Sequence, residues 1–225
     1  MESPRAESQQ PKGPVIISTM TTVLIATSNA GKLRDFAAAA AEHGIQISGL
    51  PQFASLPGVP EDQPTFEANA QKKAEHYSRY AEDGIVLADD SGLEVEALNG
   101  APGVLSARYA AHSADENASD AANNAKLLAE LEGVPEDRRQ ARFVCVIVAA
   151  RNGKALASFR GEAHGTILRQ PRGSGGFGYD PLFFFAELGK TFAELSATEK
   201  ARVSHRGEAF RKFLNWWEKA GVGSR

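Results

Sequence analysis

A chain of 225 residues with 42% hydrophobic and 24% charged side chains can bury a sizeable core as one globular unit. Its 25 basic and 28 acidic residues are mixed along the sequence and leave a formal net charge of -3, which excludes the basic footprint of a long nucleic-acid partner and points to a small, locally bound anion. No stretch approaches the roughly 18 apolar residues of a membrane span, and a lone cysteine, Cys145, excludes an intrachain disulfide, so a reducing cytoplasm is the expected setting.

Residues 1–19 are rich in Pro, Ser, Gln and charge, and their apolar cluster Val15-Ile16-Ile17 is too short for a signal core of about 7 to 15 residues. They predict a disordered tail ahead of a single domain over residues 20–225, and Met20 offers an alternative translation start. Val23 to Ala26 reads as a short buried strand, and an alanine-rich helix runs from Leu33 to His43, closed by Gly44. Ile45 to Leu50 returns as a strand. A Pro-rich loop, Pro51 to Pro64, precedes a periodic helix from Thr65 to Ala81, and Ile85 to Ala88 is the next strand. This βαβαβ order predicts an α/β sheet with helices packed on it.

Asn99 to Ser113 reads as loop and Ala114 to Glu132 as an amphipathic helix. Arg142–Ala150 and Lys154–Leu168 flank Asn152-Gly153, the strongest short hairpin signal, so the sheet is mixed. Gly173 to Gly178 is a glycine-rich loop and Pro181 to Phe185 an apolar strand. Thr198 to Lys219 is mostly helical, with Val203, Gly207, Phe210, Leu214 and Trp217 on one face.

Five segments carry candidate chemistry. In Thr27-Ser28-Asn29-Ala30-Gly31-Lys32, small residues before a helix let backbone N–H groups face an anion, and Lys32 adds a positive charge. Leu33 follows that lysine where a Walker A loop needs Ser or Thr, and alone the run also reads as a capped helix start. Asp89-Asp90-Ser91-Gly92 places two adjacent carboxylates at the end of a buried strand, where open α/β sheets bind ligands. Their mutual repulsion invites a divalent cation, and oxygen-only donors favour Mg²⁺ or Mn²⁺; an acidic turn is the plainer alternative. Phe66, Ala70, Tyr77 and Tyr80 form an inward helical stripe with Lys73 in its middle, and an inward lysine calls for an anion unless it snorkels past the core edge. In Gly173-Ser174-Gly175-Gly176-Phe177-Gly178-Tyr179-Asp180-Pro181 the glycines permit close backbone approach, the aromatics can stack on a base, and Asp180 can accept from base N–H groups. Ser204-His205-Arg206, with Lys200 one turn earlier, reads by itself as a solvated polar face.

Taken together and in this order, the five segments resemble the non-canonical purine nucleoside triphosphate pyrophosphatases, the inosine/xanthosine triphosphate pyrophosphatase family, from Val23 to about Trp217. The resemblance implies an elongated α/β fold with a long mixed sheet, two lobes around a central cleft, and a homodimer. It implies that Thr27 to Lys32 hold the triphosphate, that Lys73 also reaches phosphate, and that Glu61 and Asp90 serve the metal with Asp89 beside them. It further implies Asp90 as the base that activates water, Ser91 in substrate binding, and Phe177, Gly178, Tyr179, Asp180, Lys200, His205 and Arg206 around the purine. The chain departs from the family pattern at Gln63 and Ala68, close to Glu61 and to the helix residue Asn69.

The expected chemistry is in-line attack of water on the α-phosphorus, with charge neutralised by metal, Lys32 and Lys73. Selectivity for a 6-oxo purine is expected from His205 and Arg206 as donors. A pyrophosphatase of different nucleotide preference, and a nucleotide-binding module without turnover, are the competing expectations; a pure binder has no need of the Asp89-Asp90 pair with Glu61.

Overall fold

The computed structural model describes residues 22–111, 113 and 116–220. The predicted tail, Met20, and the Ala114 start of the third predicted helix lie outside the described residues. Strand β1 (Thr22–Ile25) feeds helix α1 (Ala30–Ala40), whose N-terminus is fixed by Asn29: its side chain accepts from Gly31 N at 2.8 Å and Lys32 N at 3.1 Å. After a left-handed Gly44, φ 65°, β2 (Gln46–Gly49) returns parallel to β1. Helix α2 (Phe66–Tyr77), capped by Thr65 on Ala68 N, leads to β3 (Val86–Val95).

β4 (Gln140–Arg151) and β5 (Lys154–Ile167) form the predicted hairpin, and Asn152 and Gly153 take φ of 52° and 77°, both positive as a two-residue turn requires. With β6 (Phe183–Phe185) and β7 (Lys190–Thr191) the sheet has seven strands in the order β2-β1-β3-β4-β5-β6-β7, parallel at β2-β1-β3 and antiparallel beyond. The remaining helices are α3 (Asp120–Glu130), α4 (Ala197–Val203) and α5 (His205–Lys219).

Helices α1 and α5 cover one face of the parallel half, where Phe36, Phe210 and Phe213 pack on Ile25, Leu87 and Ile147. α2 covers the other face, with Phe66, Ala70 and Tyr77 on Val86, Val144 and Val146. A third cluster, Leu93, Leu127, Phe143, Phe183 and Phe192, forms the far lobe. Each fully buried Leu, Ile or Phe adds about 1.5–3 kcal/mol, and this apolar burial holds the two lobes to one sheet. β1 ends at Ile25, opposite Leu87, while β3 runs on between the lobes.

Several boundaries differ from those predicted. β3 does not stop at Ala88; it pairs with β4 as far as Val95, so Asp89 and Asp90 lie in mid-strand. The third helix starts at Asp120 because Ser119 caps it, accepting from Ala122 N at 3.2 Å. The loop before it holds a 3₁₀ turn over Gly103–Arg108. The last helix is broken at Ser204, which is extended, with φ -81° and ψ 155°, and accepts from Gly207 N. Tyr80 is exposed rather than inward, because α2 tightens into a 3₁₀ turn over Ser78–Tyr80 and carries it off the stripe. The strand predicted from Pro181 is confined to Phe183–Phe185, and β7 had no signal in the sequence.

Candidate active site

A cleft of about 250 Å³ opens between the lobes, walled by the β1–α1 loop, β3, the 3₁₀ turn, the glycine-rich loop and the start of α5. All the predicted site residues line it except Ala30, Gly31, Lys73 and Asp89. Gly31 is needed for another reason: a Cβ there would lie 2.5 Å from the Phe177 ring, so the start of α1 and the glycine-rich loop touch only because the residue is glycine.

The pleat of β3 sends successive side chains to opposite faces. Asp90 faces α2, where Lys73 Nζ lies 3.1 Å from its Oδ1 and Asn69 Nδ2 donates to its Oδ2 at 3.1 Å. Lys73 also reaches Glu61 Oε1 at 2.6 Å, so one ammonium joins two carboxylates from different segments. Arg108, on the 3₁₀ turn, donates to Glu61 O at 2.6 Å and stands 3.7 Å from Glu61 Oε2.

Asp89 faces α1 and α5 instead. Its Oδ2 lies 2.9 Å from Lys32 Nζ, accepts from Ser91 Oγ at 3.1 Å and is 3.7 Å from Arg206. Arg206 continues the chain of charges, donating to Ser91 Oγ at 2.9 Å and to Asp35 at 2.7 Å, and Lys200 joins Asp35 (3.3 Å) to Asp180 (2.6 Å). The repulsion expected between the adjacent aspartates therefore does not arise: each has its own cation, and Asp89 does not converge with Glu61 and Asp90.

The Ham1 family model matches residues 23–216, which run from β1 into α5. This chain belongs to the Ham1 family. It is 48% identical over 199 residues to a Geobacillus kaustophilus protein named dITP/XTP pyrophosphatase, covering 88% of this chain and 95% of that one. It is 51% identical over 201 residues to a Geobacter sulfurreducens protein of the same name, covering 88% and 98%. The Ham1 protein of Staphylococcus aureus superposes with a TM-score of 0.74 at 40% identity, over 89% of this chain and 100% of that one.

Within this Ham1 fold the charges are tuned by burial and pairing. Burial works against ionised Asp89, but Lys32, Arg206 and Lys73 outweigh it and bring its pKa to about 2. Burial raises that of Asp90, and Glu61 opposes the help from Lys73, so the net shift is upward. Glu61 is shifted down, since Lys73, Lys32 and Arg108 overcome its burial. Lys73 is buried, yet Asp90, Glu61 and Asp89 hold it charged. His205 is driven well below its ordinary value by burial and then by Arg206, Lys200 and Lys32, so it is neutral; it stacks on Phe143 at 4.7 Å between centroids, and its Nδ1 has no partner. Arg206 Nε is likewise unpaired.

Two predicted base contacts have prior partners. Tyr179 is buried in the far lobe and donates its hydroxyl to Ser106 O at 2.8 Å. Asp180 Oδ2 accepts from Phe177 N at 2.9 Å and from Lys200. Phe177 has Lys200 at 4.9 Å and Arg206 at 5.5 Å from its ring centroid. Cys145, on β4, is fully buried, with its thiol pushed up to about 12 by burial and by Asp89.

Three participants were missed by the sequence reading. Asn69 and Asp35 sit one helical turn from Lys73 and Lys32, so i,i+4 and i,i+3 spacing from the lysines marks them. Arg108 lies on a short turn with no periodicity to reveal it. Adding these, five cations (Lys32, Lys73, Arg108, Lys200, Arg206) meet five carboxylates (Asp35, Glu61, Asp89, Asp90, Asp180), a formal sum of zero within the ion-pair network, and Asp120 on the cleft wall adds one negative charge. A triphosphate entering such a site needs further positive charge. Among the described residues no three His, Cys, Asp or Glu side chains surround one point. The two carboxylates joined at Lys73 are the donor set Mg²⁺ takes when phosphates and water supply the rest, so Glu61 and Asp90 fit it.

Proposed function

We propose that this chain hydrolyses inosine, deoxyinosine and xanthosine triphosphates to the monophosphate and pyrophosphate, keeping these nucleotides out of DNA and RNA. The names of its relatives support the reaction. The observation that carries the assignment of roles is the Lys73 bridge between Glu61 and Asp90, set beside the anion-ready start of α1.

The triphosphate lies along Thr27 to Lys32, with Lys32 and Lys73 as its cations and Ser91 at the β3 edge. Glu61 and Asp90 would hold Mg²⁺, or Mn²⁺ by the same donor chemistry, which would supply the positive charge the site lacks and would stabilise the leaving pyrophosphate. Asp90 orients a water and takes its proton: its carboxyl is shifted toward neutrality by burial, which makes it a better base than an exposed aspartate. Asp89 is a fixed counter-charge that aims Lys32 at phosphate. The purine stands between Phe177 and the start of α5, and the unpaired His205 Nδ1 and Arg206 Nε are suited to a 6-oxo acceptor. His205, being neutral, has one donor and one acceptor, and a 6-oxo group selects the tautomer that donates.

We further propose that residues 20–225 act as one domain after a dispensable tail, and that the enzyme works in the cytoplasm as a homodimer. Among the described residues no helix is long and apolar enough to cross a membrane. Assays with Mg²⁺ test the function: inosine triphosphate should be cleaved at least about tenfold faster than ATP, with the monophosphate and pyrophosphate as products. Equal rates, or a diphosphate as first product, would refute it.

A further inference from the structure

The glycine-rich loop is gripped by α3, an element with no part in the roles above. Gly178 N donates to Asp120 Oδ2 at 2.7 Å, and Asn124 Nδ2 donates to Gly178 O at 2.9 Å. Asp120 and Asn124 are four residues apart, on one face of the helix, so a single turn holds both polar atoms of one backbone residue. The helix is a firm mount: Leu127 is fully buried, and Asn123 accepts from Ala110 N at 2.8 Å and donates to Ala107 O at 3.2 Å. Gly178 has φ +62°, a conformation side chains rarely adopt, and the loop bends there between Phe177 and Tyr179. Asp120 and Gly178 both line the cleft.

We infer that Asp120 and Asn124 are positioning residues that set Phe177 against the incoming base and so govern discrimination among purines rather than the chemistry at phosphorus. The inference rests on the base site proposed above. Two features specify its chemistry: position 120 must accept a hydrogen bond and position 124 must donate one. A negative charge at 120 is not itself required. Asp120→Asn keeps an acceptor, Asp120→Ala removes it, and Asn124→Asp turns an acceptor toward the Gly178 carbonyl.

The test measures kcat and KM for inosine triphosphate and ATP, inosine monophosphate binding by calorimetry, and thermal melting for all three variants. Asp120→Ala and Asn124→Asp should raise KM for inosine triphosphate and weaken monophosphate binding at least about fivefold, on the scale of one hydrogen bond. They should narrow the preference over ATP by a similar factor and change kcat by less than about twofold, while Asp120→Asn stays within about twofold of wild type throughout. Equal damage from Asp120→Asn and Asp120→Ala would overturn the inference, as would a loss confined to kcat or one shared equally by both substrates. Should a variant fail to fold, hydrogen exchange of the wild-type Gly178 amide decides: protection supports the grip, and exchange at the rate of an open loop overturns it. Failure of the underlying base-site reading is distinguishable, because wild type would then show no preference for inosine triphosphate before any substitution is made.

Discussion

Asp89 and Asp90 are successive residues of β3 whose carboxylates stand on opposite faces of the sheet, Asp89 on Lys32 at 2.9 Å and Asp90 on Lys73 at 3.1 Å. Two acids with one sequence environment thereby acquire different electrostatics, one drawn down to about 2 and the other shifted up.

Asp90→Asn should lower kcat by at least about 10², the smaller end of a general base's contribution, with little change in melting temperature. Asp89→Asn should act on stability, because it strips a partner from the buried Arg206 and from Lys32. About 3 kcal/mol for breaking such a pair corresponds to a fall of roughly 6–12 °C in a chain of this size. Steady-state kinetics and calorimetric melting of the two variants check the division; a stable, inactive Asp89→Asn would reverse the roles.

Asn69 is the second side-chain partner of Asp90, beside Lys73. It is buried, donates to Asp90 Oδ2, and exchanges hydrogen bonds with Gln63 N and O that fix the loop bearing Glu61. Asn69→Ala should cost about tenfold in kcat, the scale of one hydrogen bond to a charged group, with KM for the nucleotide little changed. An unaltered kcat would remove Asn69 from the catalytic support.

His205 gives stability a pH dependence. Burial, reinforced by neighbouring cations, holds its folded-state pKa well below 6.5, whereas in the unfolded chain it protonates as pH falls through about that value. The unfolded state then binds more protons, so this residue makes the fold lose stability as pH drops below about 6.5, by up to about 1.4 kcal/mol per pH unit. Denaturant unfolding between about pH 7 and about pH 5 measures the slope, and His205→Gln should flatten it. The same slope in both proteins would assign the titration to another group.

Much of this was legible in the sequence for physical reasons. The inward place of Lys73 follows from the 3.6-residue period of α2, and the β4–β5 hairpin from the positive φ that Asn152 and Gly153 accept. The length of β3 was not legible. A strand is recognised by its apolar run, and Asp89 and Asp90 interrupt that run although both are buried, since the cations that permit their burial come from α1, α2 and α5. The break at Ser204 was hidden because its neighbours continue a helical pattern on either side. That break brings His205 and Arg206 to a helix start instead of leaving them on a solvated face.

The match to the Ham1 family begins at residue 23 and β1 at Thr22. A chain shortened to begin at Met20 is therefore expected to keep its kcat and melting temperature. A loss of several degrees, read by calorimetry, would mean that the first nineteen residues pack on the domain.

In the proposed mechanism, water activated at Asp90 attacks the α-phosphorus. Hydrolysis of inosine triphosphate in ¹⁸O-labelled water, with mass spectrometry of both products, tests it most directly. The label is expected in the inosine monophosphate and not in the pyrophosphate; label in pyrophosphate or in free orthophosphate would contradict the account.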